Sequence, residues 1–446
     1  MKKRWIILFA FLLGISVLGL VMPEAADLFT VGDNINMANV AWMITATIFV
    51  LMMTPGLSFF YGGMVRAKNV ISTILQSFIA MGVISVLWVF FGFSLAFGGD
   101  LGHFIGNPLT YFMFENVGAA NDALSMSLGL TIPLALYALF QMKFAIITPS
   151  LITGSFAERV RFSGYLFFII FFSIFVYCPL AHWTWHPDGF LNKLMHVRDF
   201  AGGIVVHASS GIAALAGALF LGRRNNPGAH QPANVPFVIL GAAMLWLGWF
   251  GFNAGSSLAA DGVAVKAFLN TNTASAVAMM TWVVFDCLRG RKPSAMGAAI
   301  GAVVGLVAIT PSAGWVTVGQ SIFIAFVTTI ISNIAVSWKN KKNSFDDALD
   351  VFPTHGVGGI VGTVLTGVFV YEPDAGISHL HSFLNHCLAV VIVFVYTFGV
   401  SYAIYWLTNK MIPLRVSEKS EKIGLDRSQH DEQYGESDRE LQEYEN

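Results

Sequence analysis

Charge is what this chain has least of. Only 11% of its 446 residues are Asp, Glu, Lys or Arg, against roughly 25% in a soluble domain. That shortage excludes an ordinary water-soluble fold. The formal net charge is −1, so no basic excess argues for nucleic acid, and no nucleic-acid partner is expected. Cysteine is equally sparse. Cys178, Cys287 and Cys387 fall in or beside apolar segments, at spacings that fit neither a zinc site nor a disulfide framework. They read as small buried apolar side chains. No metal and no other cofactor is expected.

What the chain has in abundance is apolar surface. Hydrophobic residues make up 55%, with 39 Phe and 43 Gly, and Gly is enriched where membrane helices pack closely. The N-terminus begins Met1-Lys2-Lys3-Arg4, runs apolar from Trp5 to Met22 and ends in Pro23-Glu24-Ala25-Ala26. That order of basic, apolar and small-residue regions reads as a secretory signal peptide over residues 1–26; an uncleaved first helix is the alternative. A helix needs about 20 apolar residues to cross a bilayer. Eleven such runs follow, near 38–61, 70–98, 126–154, 163–184, 200–222, 235–255, 264–288, 295–311, 317–338, 352–371 and 381–409. The eighth is short and Gly-rich. The expected fold class is an all-α polytopic membrane protein of eleven transmembrane helices.

The loops orient it. Alternate loops hold Arg66 and Lys68, Arg159 and Arg161, Arg223 and Arg224, then Arg289, Arg291 and Lys292, then Lys339, Lys341 and Lys342. The intervening loops hold few bases (Lys193, Arg198, Lys266) and several acids (Asp100, Glu115, Asp122, Glu372, Asp374). The positive-inside rule puts the mature N-terminus outside and the C-terminus inside. Eleven spans divide into five plus five plus one, the second five inverted. Residues 27–409 form the membrane domain. Residues 410–446 form a polar cytoplasmic tail, whose first half has enough Leu, Ile and Val to dock and whose end reads as solvated.

Two histidines stand inside these apolar spans in a shared small-residue frame. They are His207-Ala208-Ser209-Ser210-Gly211-Ile212 and His355-Gly356-Val357-Gly358-Gly359-Ile360. An ionisable group at bilayer depth is costly, so it is by default functional. His207 falls in span five and His355 in span ten, equivalent places in the two halves. Neutral imidazole donates from one nitrogen and accepts at the other, so a pair could hand a neutral amine along a bore or relay a proton. A satisfied structural histidine is the rival for either one alone. A metal site is the sharper rival for the pair, although no Cys, Asp or Glu stands at ligand spacing.

Other residues stay ambiguous on their own. Asp199 starts span five, where it could cap the helix or supply a negative field that favours a cation at the outer mouth. Asp346, Asp347 and Asp350 precede span ten and read as caps and loop-ordering groups. Phe140 and Phe144 are an i, i+4 pair on one face of span three. Trp185, at the outer end of span four, is either an interfacial anchor or, with the two Phe rings, a cation–π cup. Lys143 lies inside span three; snorkelling, pairing with an acid at a subunit contact, and facing a polar cavity all remain open.

The stretch Asp199-Phe200-Ala201-Gly202-Gly203-Ile204-Val205-Val206-His207 resembles a signature of the ammonium transporter family (Amt/Mep/Rh), in its bacterial Amt branch. So do Phe59-Phe60-Tyr61-Gly62-Gly63, Gly154-Ser155-Phe156-Ala157-Glu158-Arg159, and Trp249-Phe250-Gly251-Phe252-Asn253-Ala254-Gly255-Ser256. Asp350-Val351-Phe352 with His355-Gly356-Val357, and Leu414-Arg415-Val416-Ser417-Glu418 with Gly424-Leu425-Asp426, are similar too. The resemblance covers nearly all of the mature chain. It implies eleven helices, a homotrimer in the bacterial inner (plasma) membrane and one pore per subunit. It implies that Phe140, Trp185 and Ser256 bind ammonium at an outer site, with Phe144 shared between that site and the gate. Phe144 and Phe252 would be the gates, His207 and His355 would line the pore, and Asp199 would be the supporting outer carboxylate. Met142 and Lys143 depart from the small or apolar residues common at their positions.

The expected function is transport, not enzymatic catalysis. Ammonium is recruited outside and deprotonated, and ammonia crosses the twin-histidine pore, with the proton translocated alongside. Methylammonium is a further candidate substrate. The tail resembles a segment that packs across subunits and meets a PII-type signal protein. The rivals are an ammonium sensor with little flux, a neutral ammonia channel, and an intramembrane enzyme with a metal on the histidine pair.

Overall fold

The computed structural model describes residues 2–22, 34–118, 123–227, 231–342 and 345–435. Among the described residues, nine helices are long and apolar enough to cross a membrane. They are Met37–Met64, Ala67–Phe97, Leu134–Ile152, Phe162–Lys193, Gly203–Leu221, Val235–Ser257, Val318–Lys342, Phe352–Phe369 and His379–Met411. These are spans one to six and nine to eleven of the expected order. The places of spans seven and eight hold helices as well, Gly262–Leu288 and Ala295–Ile309. The first is weakened by the polar run Asn270-Thr271-Asn272-Thr273, and the second has only 15 residues. All eleven expected spans thus fall on helices, and nine of those helices, among the described residues, have the length and hydropathy of a membrane crossing. The helix Lys2–Gly19 covers the leader. The cleavage site expected at 23–26 and the tail end 436–446 lie outside the described residues.

Side-chain caps start several spans. Asn36 accepts from the Ala38 and Asn39 amides, Asn234 from Phe237, Asp261 from Ala264, Ser294 from Gly297, and Ser378 from His381. Each satisfies a backbone donor that the first turn leaves free.

The two halves meet through equivalent spans. Spans one and six cross where Gly56 faces Gly241, and a Cβ on Gly56 would come within 2.9 Å of Met244 Cβ. Spans five and ten cross where Gly211 faces Gly356, so closely that a methyl on Gly211 would overlap the Gly356 backbone. Both of these last spans open with a π-helical turn, Gly203–Ala208 and Phe352–Gly356. In membrane helices, irregular backbone is tolerated where it is buried in protein or lines a cavity.

The basic loops gather at one end with the tail. Arg224 bonds Glu158 at 2.8 Å and Asp346 at 2.8 Å, and Arg66 reaches Glu158 at 2.9 Å. In the tail, Arg415 donates to the Leu221 carbonyl at 3.0 Å, and Asp426 accepts from the Ile71 and Ser72 amides at 3.0 and 2.7 Å. Leu414, Val416 and Leu425 are buried there. The positive-inside rule makes this end cytoplasmic.

Candidate functional site

The site is a column of aromatic rings above two imidazoles. Phe140 and Phe144 project from one face of span three, with ring centroids 4.9 Å apart at 65°. Trp185, at the end of span four, meets Phe144 edge-on at 5.7 Å. Its indole N–H donates to the Asp199 carbonyl at 2.9 Å. Phe140 packs against the backbone at Gly255, beside Ser256. The Ser256 hydroxyl donates to the Phe252 carbonyl at 2.8 Å, which spends its proton and leaves its lone pairs to accept from a ligand. The expected outer-site residues are thus brought together.

Below them Phe144 stacks on Phe252, with centroids 4.2 Å apart at 29°. No solute fits between rings at that separation. Beneath Phe252 lies His207, 5.9 Å away, and then His355. Both imidazoles are buried. Their Nδ1 atoms are 3.4 Å apart, so one donates and the other accepts, and the two rings carry opposite tautomers. His207 Nε2 is buried and has no hydrogen-bond partner among the described residues. It is a free polar position directly under the stacked Phe144 and Phe252 rings.

Backbone donors organise each histidine from a carboxylate eight residues upstream. Asp199 accepts from Gly202 and Gly203 at 2.8 and 2.7 Å through Oδ1, and from Ile204 and Val205 at 2.7 and 3.3 Å through Oδ2. Asp199 therefore caps the π-helical turn with its carboxylate and holds the Trp185 indole with its backbone carbonyl. Its carboxylate oxygens are committed to these backbone amides. Asp347 does the same for span ten, accepting from Val351 at 3.1 Å and Phe352 at 2.8 Å.

Two features of the site lie beyond the sequence reading. Trp249 lies flat against His207, at 5.1 Å and 19°, and its N–H donates to Thr310 at 2.8 Å. Its place one turn before Phe252 was the available signal. The other is the division of labour among the acids before span ten: Asp346 holds Arg224, Asp347 caps, and Asp350 pairs with Lys339 at 2.5 Å. Lys143 does not join the column. It is half-buried on the side of span three that carries exposed Leu139, with its ammonium 3.7 Å from the Met142 sulfur.

A sequence model of the Ammonium Transporter Family matches residues 41–434. The chain belongs to the ammonium transporter family. Relatives extend over nearly the full length. It is 41% identical over 403 residues to the ammonium transporter of Bacillus subtilis, covering 89% of this chain and 98% of that one. The crystal structure of Saccharomyces cerevisiae Mep2 superposes with a TM-score of 0.79 at 34% identity, over 87% of this chain and 92% of that one. A solved structure described as a sensor Amt protein matches with a TM-score of 0.80 at 30% identity, over 88% and 98%.

Proposed function

We propose that this ammonium transporter strips its substrate of a proton at the outer cup and conducts ammonia past two stacked phenylalanines into a twin-histidine pore. The observation that carries this reading is the His207–His355 contact at 3.4 Å, with an unpartnered Nε2 beneath the gate. Phe140, Phe144 and Trp185 offer ring faces and edges to a cation, Ser256 accepts one of its N–H bonds, and the Asp199 charge favours its approach. A bare cation cannot enter the apolar bore cheaply, so the cation gives up its proton. Potassium has none to give and is refused.

The proton follows by relay through the imidazoles, which makes transport electrogenic. The test is current on a solid-supported membrane loaded with proteoliposomes and given an ammonium jump. The wild-type current is expected to vanish when His207→Ala and His355→Ala are combined. Equal currents with and without both rings would overturn the relay. Ammonia flux without current would identify a neutral channel, and no flux at all a sensor.

The outer cup has its own expected result. Trp185→Leu raises the ammonium concentration for half-maximal current by roughly five- to thirtyfold, since a desolvated cation–π contact is worth about 1–2 kcal/mol. The maximal current is retained, because the gate and histidines stay intact.

Residues 27–409 form the transport domain, the assembly is a homotrimer in the bacterial plasma membrane, and residues 1–26 are removed on export. Family membership and the charge pattern of the loops support this. The tail, docked through Arg415 and Asp426 beside the cytoplasmic mouth, supports a PII-type signal protein as the regulator.

A further inference from the structure

A histidine outside the pore carries an accounting problem that only a proton solves. His182 is fully buried at the outer end of span four. Its Nδ1 lies 2.9 Å from the Ala96 carbonyl and its Nε2 lies 2.9 Å from the Asp100 carboxylate. Both neighbours are acceptors. A neutral ring has one N–H and would turn a lone pair against one of them. The contacts close only if His182 and Asp100 together hold one proton more than a neutral ring and an ionised carboxylate.

The surroundings assign that proton a task. Asp100 begins a small hairpin, Asp100–Leu101 paired with Ile105–Gly106, and its carboxylate accepts from the His103 amide at 2.9 Å. The hairpin grips the turn that ends at Trp185, and the segment just beyond it, at three further points. Trp183 donates to the Phe104 carbonyl at 2.7 Å, the Phe190 amide donates to the His103 carbonyl at 3.2 Å, and the His103 ring donates to the Asp188 carbonyl at 2.6 Å. Trp185 stands in that same turn, three residues after His182.

The titratable and charged groups around the ring are Asp100 and His103 on the hairpin, and His186, Asp188 and Lys193 just beyond the turn. His186 stacks on His182 at 4.3 Å, but its Nδ1 accepts from the Asp188 amide, so it is the uncharged ring. Lys193 is paired with Asp188. Cys178, one turn earlier, spends its thiol on the Gly92 carbonyl.

We propose that His182 and Asp100 are a positioning pair that shares one proton, and that this proton holds Trp185 in the ammonium-binding cup. The inference rests on the reading of Trp185 as an ammonium ligand. While the proton is bound, the hairpin and the turn are locked. Without that proton, Nε2 and the carboxylate repel, and Trp185 loses its support. Asp100→Asn separates this from a merely structural role. An amide N–H donates to the neutral ring with no extra proton, so the lock becomes independent of pH.

The experiment compares wild type and Asp100→Asn, reading ammonium affinity by solid-supported-membrane current across external pH of about 5 to 8. Ammonium speciation is common to both proteins and cancels in their ratio. Wild type is expected to lose affinity by about threefold towards the alkaline end, the factor carried by one weakened hydrogen bond, while Asp100→Asn stays flat. Parallel profiles would overturn the proposal. Histidine-selective 15N NMR on the wild-type protein, with the His182 signal assigned by its loss in His182→Gln, gives a readout that needs no transport. A proton count matching a neutral ring beside an ionised carboxylate at the acidic end would overturn the shared proton. A shared proton seen by NMR with Trp185→Leu leaving affinity untouched would retain the pair and remove Trp185 from the cup.

Discussion

Arg224→Ala is expected to cost about 3–5 kcal/mol of stability, the range for breaking a buried ion pair by removing one partner. Arg224 is 7% exposed. Its guanidinium bonds Asp346 at 2.8 and 2.9 Å and Glu158 at 2.8 Å, and its backbone N–H reaches Asp346 at 2.9 Å. Removal takes the guanidinium from buried Asp346 and one of its partners from Glu158, which keeps Arg66, at the junction of three cytoplasmic loops. Thermal unfolding in detergent checks the loss, and double substitution with Asp346→Asn should recover part of it. Unchanged unfolding would mean that the loops hold without the pair. The same cluster sets an acid limit. Burial pushes the Asp346 carboxyl up, but the Arg224 hydrogen bonds and the Arg159 and Arg224 charges prevail and hold it down at about 2, below its ordinary 3.8. A depressed carboxylate contributes stability that is present above its unfolded value and disappears as pH falls through the folded one. Wild type should therefore lose this contribution between about pH 4 and about pH 2, and Asp346→Asn should lack that segment of the stability profile.

Gly211→Ala is expected to abolish transport with a smaller loss of stability. The added methyl would overlap the backbone of Gly356, next to His355. Overpacking of a tight core costs about 1–3 kcal/mol when neighbours can shift, and here the neighbour that shifts carries a pore histidine. Any displacement of span ten opens the 3.4 Å contact between the imidazoles and breaks the column. Current normalised to folded protein is the readout. Wild-type current from a folded Gly211→Ala protein would show that the bore tolerates a looser histidine pair.

Much of the architecture was legible because membrane folding writes itself along one dimension. Apolar runs marked the spans. Arg and Lys in alternate loops marked the basic end, and the structure collects Arg66, Arg159, Arg224 and the tail there. The shared frame around His207 and His355 marked two equivalent places. Span seven was harder to weigh, since Asn270 and Thr271 dilute its hydropathy while serving the interior. Asn270 donates to the Ala313 and Val316 carbonyls at 2.9 Å, and Thr271 accepts from Asn253 at 2.9 Å.

What the sequence by itself determined is the material: an apolar chain of repeated spans, two buried imidazoles, and carboxylates spaced to cap the turns before them. Local rules suffice for that, because helix period, hydropathy and capping act within a few residues. What only the tertiary structure decided is which faces meet. Phe144 stacks on Phe252, Trp249 backs His207, and His182 finds Asp100 across 82 residues of chain. Periodicity states that a face is apolar, not which partner it will touch. Glycine contacts such as Gly211 against Gly356 settle that choice, by letting two backbones approach until only one register of the histidines remains.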